Sequence, residues 1–185
     1  MSKKSTASAV RELEGGHDQN QYLTFVLGKE TLAIGILTIK EIIEYGQPTE
    51  VPMMPDFIRG VINLRGAVVP VIDLAARLQR PRAAVTRKTC IVIVEAEVSG
   101  ERQVIGVIVD AVNEVLEIAA DEIEPPPAFG TSIRTDYIAG LGKVSGRFVI
   151  ILNVDHVLSI EEMVALSAGL SNPAVEHNEA EQQCA

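Results

Sequence analysis

The phrase PMMPDFIRGVINLRGAVVPVIDL over residues 52–74 returns in paler form as TDYIAGLGKVSGRFVIILNV over 135–154. Phe57 answers to Tyr137, Ile58 to Ile138, Gly60 to Gly140, Gly66 to Gly146, Val69 to Val149, Val71 to Ile151, Ile72 to Leu152 and Asp73 to Asn153, each pair 80 residues apart. A second echo relates AIGILTIKEII at 33–43 to VIGVIVDAVNEVL at 104–116. Here Gly35 answers to Gly106, and I-K-E-I-I to V-N-E-V-L after a two-residue insertion. Internal repeats constrain architecture before any local propensity does, because each copy must form a similar unit. The chain is therefore expected to be a duplication. Where the copies diverge, the divergence is informative: Asn63, Leu64 and Arg65 of the first become Lys143, Val144 and Ser145 of the second.

With 185 residues, 47% of them hydrophobic, the chain has enough apolar material for a real core without metal or disulfide support. Its two cysteines, one of them Cys184 next to the end, make no disulfide framework and no metal-ligand spacing, which fits a reducing cytosolic setting. The opening MSKKSTASAVRELEGG lacks an apolar signal core, and no apolar run approaches the ~20 residues of a membrane span, so a soluble protein without direct membrane insertion is expected. The formal charge of −9 is not a property of the tails alone: 21–166 carry 13 basic and 19 acidic residues, a net −6. An acidic folded region with seven aromatics and no Trp argues against nucleic acid as a partner.

Residues 1–20 and 167–185 lack periodicity and read as disordered tails flanking one region at 21–166. Within it, QYLTFVL (21–27) puts Leu23, Phe25 and Leu27 on one face. The runs TCIVIV (89–94), VIGVIVD (104–110), GAVVPVI (66–72) and RFVIIL (147–152) are β-branched and apolar on both faces. Pro70 must occupy an edge or a bulge of its strand. Strands of this kind, punctuated by Gly and Pro turns, predict a mainly β fold of two five-stranded barrels of the SH3 or OB class with few short helices. One barrel is expected mainly over 21–80 and the other mainly over 88–152, joined by the basic stretch RPRAAVTRK at 80–88. A terminal helix is expected over 155–166, where Ser159 and Glu162 have capping-box spacing.

Catalytic equipment is thin. His156 is the one histidine of 21–166 and stands beside a helix start without supporting groups, and Cys90 lies in an apolar run where a thiol behaves as a small hydrophobe. The glycines form neither a dinucleotide fingerprint nor a phosphate loop, and no metal or cofactor is implied. The chain does not read as an enzyme.

Three features are unusual. Arg65, in N-L-R-G, is charged between two apolar strands. It either locks the barrel by pairing with a carboxylate such as Asp73 or Glu41, or projects from its turn to make bidentate contacts with a partner. Glu41 in I-K-E-I either faces solvent routinely or is displayed at the rim of a binding face. Phe129 ends the stiff arm P-P-P-A-F at 125–129, and is either tucked into the core or held out as an anchor.

The stretch EYGQPTEVPMMPDFIRGVINLRGAVVPVIDL at 44–74, together with VIGVIVDAVNEVL, PPPAF and TDYIAGLG, resembles the CheW family of bacterial chemotaxis coupling proteins over about 21–166. The resemblance implies two intertwined five-stranded barrels around a shared hydrophobic core and no catalysis. It further implies cytoplasmic coupling of chemoreceptor tips (methyl-accepting chemotaxis proteins) to the regulatory domain of the histidine kinase CheA within receptor arrays. Carried over by position, it puts Ile39, Glu41, Arg65, Val112 and Val115 in a receptor-binding groove between the barrels, and Phe129 against the kinase. Within the same fold, a coupler for twitching, gliding or cyclic-di-GMP output is the alternative.

Overall fold

The computed structural model describes residues 18–128 and 133–159. Eleven strands appear in the order β1 (Gln21–Leu27), β2 (Glu30–Gly35), β3 (Ile39–Glu44), β4 (Ile58–Leu64), β5 (Ala67–Asp73), β6 (Cys90–Val98), β7 (Glu101–Val109), β8 (Ala111–Glu117), β9 (Ile123–Glu124), β10 (Ile138–Val144) and β11 (Arg147–Leu152). Single helical turns follow β5 and β11: α1 (Leu74–Arg77) and α2 (Val154–Val157). The strands form a six-stranded sheet, β8-β1-β2-β11-β10-β9, and a five-stranded sheet, β3-β6-β7-β5-β4.

The two orders are one order used twice. Replacing β3, β6, β7, β5 and β4 by β8, β1, β2, β11 and β10 converts one sheet into the other, with the two-residue β9 added at the end. The pairings agree in detail. Ile58 faces Ile72 and Ile138 faces Leu152, with a bulge before Gly60–Val71 in one copy and before Gly140–Ile151 in the other. Even β9 has a counterpart. It pairs with β10 at Leu141, as Thr49 bridges Val61 in the first copy. Gly60 and Gly140 permit this closing approach: a Cβ on Gly60, at φ 140°, would lie 2.1 Å from the Thr49 carbonyl oxygen, and one on Gly140 would lie 2.5 Å from the Ile123 Cγ2.

The duplication and the mainly β architecture therefore hold, and the two curled sheets fit the two intertwined barrels. The division of the barrels along the chain needs correction. β1 and β2 join the sheet built from 111–152, whereas β3, β4 and β5 join the one containing β6 and β7. The stretch 80–88 separates the repeats in sequence and does not separate the sheets. Alternation of apolar residues tells a strand which face to bury and says nothing about which neighbour to pair with. Of the expected terminal helix at 155–166, the structure has α2 ending at Val157; residues 160–166, like the tails at 1–17 and 167–185, lie outside the described residues.

Strand exchange makes the interior common to both copies. One buried cluster unites Leu23, Phe25 and Leu32 with Val92, Val94 and Val107, and adds Leu74 of α1 and Val157 of α2. Pro70 sits where β5 has a neighbour on one side alone, since the β7 pairing starts at Val71. The edge expectation is met there. Both helical turns are capped alike: Asp73 Oδ1 accepts from Ala76 N at 3.1 Å and Asn153 Oδ1 from His156 N at 3.3 Å.

Arg77, the last residue of α1, is 6% exposed and reaches from that turn to the other. Its guanidinium carbon is 5.3 Å from the centre of the Phe57 ring and 5.0 Å from that of Tyr137, the aromatic pair of the 80-residue repeat. Its Nε donates to the Val157 carbonyl at 2.8 Å. Arg77→Ala would remove two desolvated cation–π contacts and leave that carbonyl without its donor, an expected loss of about 3 kcal/mol in urea unfolding. Arg77→Lys is expected to recover little of it, because an ammonium lacks the planar face that stacks. A loss below about 1 kcal/mol for Arg77→Ala would refute this role.

Candidate functional site

Two hairpin tips differ most between the copies. β4 and β5 are joined by Arg65 and Gly66, with φ of 51° and 86°; β10 and β11 are joined by Ser145 and Gly146, with φ of 50° and 76°. Two consecutive positive φ values in a two-residue loop make a type I′ turn, whose twist matches that of the flanking strands and whose favoured first residue is Asn, Asp or Gly. Asn63 Oδ1 accepts from Gly66 N at 2.8 Å and braces the first turn. An arginine in this left-handed conformation runs against local preference by roughly 1 kcal/mol. Its presence at the tip has to be explained by what its side chain does.

The guanidinium reaches across the sheet. β3 and β4 are at opposite ends of the strand order, yet Arg65 Nη2 donates to Glu41 Oε2 at 3.1 Å, so the pair spans the seam where the sheet curls on itself. The Arg65 side chain is 81% exposed and that of Glu41 26%. An ion pair so open to water adds under ~1 kcal/mol. Beside it, Lys40 and Arg102 both grip Glu95, the latter at 3.1 Å. The hydrogen bond from Lys40, with help from Arg102, holds the Glu95 carboxyl below the usual range. Val68, on the same hairpin as Arg65, is exposed.

Of the two carboxylates considered for Arg65, the structure selects Glu41. Asp73 is engaged elsewhere, its Oδ2 lying 3.1 Å from Arg82 Nε and 3.8 Å from Arg59 Nη1. The pairing with Glu41 does not bury Arg65, so the guanidinium remains available to a partner. Ile39 must be corrected as a groove residue: it is 8% exposed and belongs to the core, because the bulge between Ile39 and Glu41 turns it inward while Glu41 stays half-exposed. Val112 is half-buried against that same core, and Val115 is open on β8. Both lie on the six-stranded sheet, whereas Arg65 and Glu41 lie on the five-stranded one. Phe129 falls outside the described residues. Sequence reasoning passed over Val68 and Phe148, exposed apolar residues at matching places beside the two hairpin tips. Their 80-residue spacing within otherwise buried runs was the available signal.

His156 is exposed and contributes its backbone N–H to the cap. Cys90 is half-buried, its thiol donating to the Lys88 carbonyl at 3.2 Å, and burial together with the nearby Glu44 carboxylate pushes its pKa up. The thiol thus stays protonated at neutral pH, the opposite of an activated nucleophile. Alkylation of Cys90 by iodoacetamide at pH 7.5, followed by peptide mapping, is expected to be several-fold slower than that of free glutathione; equal or faster reaction would contradict this environment. Among the described residues no helix is long and apolar enough to cross a membrane, and no cluster of His, Cys, Asp and Glu is placed to hold a metal.

The strain at Arg65 yields a stability test. Arg65→Asn restores the preferred Asn-Gly turn and removes an exposed ion pair of small worth, so it is expected to leave the thermal midpoint unchanged or raise stability by about 0.5 kcal/mol. A loss beyond about 1.5 kcal/mol would make Arg65 a fold residue.

The geometry of twin barrels with divergent tips has known relatives. The CheW-like domain family matches residues 21–162. The chain is 37% identical over 156 residues to the chemotaxis protein CheW of Klebsiella aerogenes, covering 84% of this chain and 92% of that protein. It is 30% identical over 129 residues to the protein FrzA of Myxococcus xanthus, covering 70% and 78%. The crystal structure of the scaffolding protein TtCheW from Thermoanaerobacter tengcongensis matches with a TM-score of 0.69 at 35% identity, over 76% of this chain and 88% of that one. With the two copies, their exchanged strands and these relatives in agreement over nearly the whole described region, the chain belongs to the CheW-like family of chemotaxis scaffolding and coupling proteins.

Proposed function

We propose that this chain couples the cytoplasmic tips of chemoreceptors to the regulatory domain of the histidine kinase CheA, in the cytoplasm beneath membrane-bound receptor arrays, by gripping both and breaking no bond. The observation that carries the receptor half is Arg65: a guanidinium held at a cost in backbone strain and left open to solvent beside a half-exposed carboxylate. Arg65 and Glu41 fix the register of a receptor helix by paired hydrogen bonds, while Val112 and Val115 offer apolar contact. Ile39 supports that surface from beneath. Phe129, at the end of its Pro-rich arm, is the kinase anchor in this reading.

A grip made of one ion pair and a few apolar side chains gives modest affinity, which many simultaneous contacts in an array would multiply. Differential contacts with two receptor geometries are all that signalling requires of such a bracket. The relative named FrzA favours a second reading, in which the same grip serves a chemosensory pathway with another output.

Arg65→Glu puts two carboxylates face to face on an exposed hairpin. It is expected to leave the urea midpoint within about 0.5 kcal/mol of wild type and to abolish co-sedimentation with receptor-containing membranes. CheA pull-down should persist while receptor-dependent kinase stimulation disappears. Normal receptor sedimentation by this variant would overturn the assignment of the groove.

A further inference from the structure

Among the described residues, the seam bridged by Arg65 and Glu41 in one barrel has no bridge in the other. The repeat relates Glu41 to Glu114 and Arg65 to Ser145. These two residues also come together in space, since both line a hollow of about 610 Å³ between β8, the β1–β2 turn and the β10–β11 hairpin. The correspondence thus rests on sequence and on geometry independently. Where the five-stranded sheet has a guanidinium across its seam, the six-stranded sheet has a cleft.

Glu114 is held for display. Thr24, buried at the bulge of β1, donates its hydroxyl to the Glu114 carbonyl at 2.8 Å and accepts from the Glu114 N–H at 3.3 Å, clamping the backbone on both sides. Among the described residues the carboxylate has no ion-pair partner, and neither do Lys29 and Arg147, the cations that share the lining; Glu30, the other acid there, is already paired with Arg80 at 2.7 Å. Phe148 stands 55% exposed at the hollow's edge.

We infer that this hollow is a second docking site, and that its occupant is a segment of another protein presenting an arginine with an adjoining apolar side chain. The incoming guanidinium takes the place across the seam that Ser145 leaves empty and pairs with Glu114, while the apolar neighbour covers Phe148. The five-stranded sheet is the template: the same fold, with an arginine at that tip, makes this pair within itself. A guanidinium meets the Glu114 carboxylate through two parallel hydrogen bonds, a geometry that an acidic segment lacks. The site is separate from the receptor-facing residues Val112 and Val115, neither of which lines it.

The full-length ¹⁵N-labelled protein titrated with acetyl-Leu-Arg-amide tests this, with acetyl-Leu-Glu-amide as the control. The arginine peptide is expected to shift the amide signals of Glu114, Leu116 and Phe148 at millimolar concentration, and the glutamate peptide to shift them less. Glu114→Gln should weaken the response about fivefold to tenfold, the usual worth of a charged hydrogen-bond partner. Ser145→Arg should abolish it by supplying the guanidinium internally. Unchanged shifts in both variants would overturn the inference, as would stronger shifts with the glutamate peptide. So would concentration-dependent self-association that vanishes in Arg65→Ala, which would make a second copy the occupant.

Discussion

Arg77 joins what the duplication would otherwise leave as two separable units. It extends from α1 of the first copy to the last carbonyl of α2 in the second, touching on the way both members of the Phe57–Tyr137 pair. A buried cation is tolerable when its charge meets π faces and its donors meet carbonyls, and here those groups come from both copies at once. The contact exists only if both hairpins and both capped turns are formed and docked. Folding of either copy alone would strand the guanidinium, which couples the two into one cooperative unit.

Strand exchange has the same consequence on a larger scale. Because β1 and β2 complete the sheet of the second copy, and β6 and β7 that of the first, neither sheet survives without the other. Stability is thereby concentrated in an interior common to both copies, and the hairpin tips carry little of it. That division leaves the tips free to diverge, one keeping an arginine at a cost in backbone strain and the other a serine beside an open hollow. Rigid supports with variable ends are how one fold comes to grip different partners.

How much was legible in advance differs residue by residue. Gly66 and its counterpart Gly146 announced turns, because only certain backbones need a residue without Cβ; the close approaches at Gly60 and Gly140 were visible only in the fold. Cys90 was rightly read as a packed thiol, since its surroundings in sequence are also its surroundings in space. Ile39 was misjudged because a bulge inverted its facing, and a bulge leaves no trace in a period-2 pattern. Arg77 went unremarked: an arginine closing a short apolar turn, Leu74–Arg77, looks solvated until the partner copy is folded over it. The choice of Glu41 over Asp73 as the mate of Arg65 likewise depended on which edges the curling sheet brings together.

The chain's own letters determined that it is built twice, where its hairpins turn, and which charged side chain breaks the likeness between the copies, because such properties follow from spacing and local backbone preference. Only the tertiary structure decided which strands lie side by side, that one seam is bridged and the other open, and that Ile39 is inside while Arg65 is out. Those outcomes depend on contacts between residues far apart in the chain, and a strand apolar on both faces is equally content beside any neighbour until the whole core has closed.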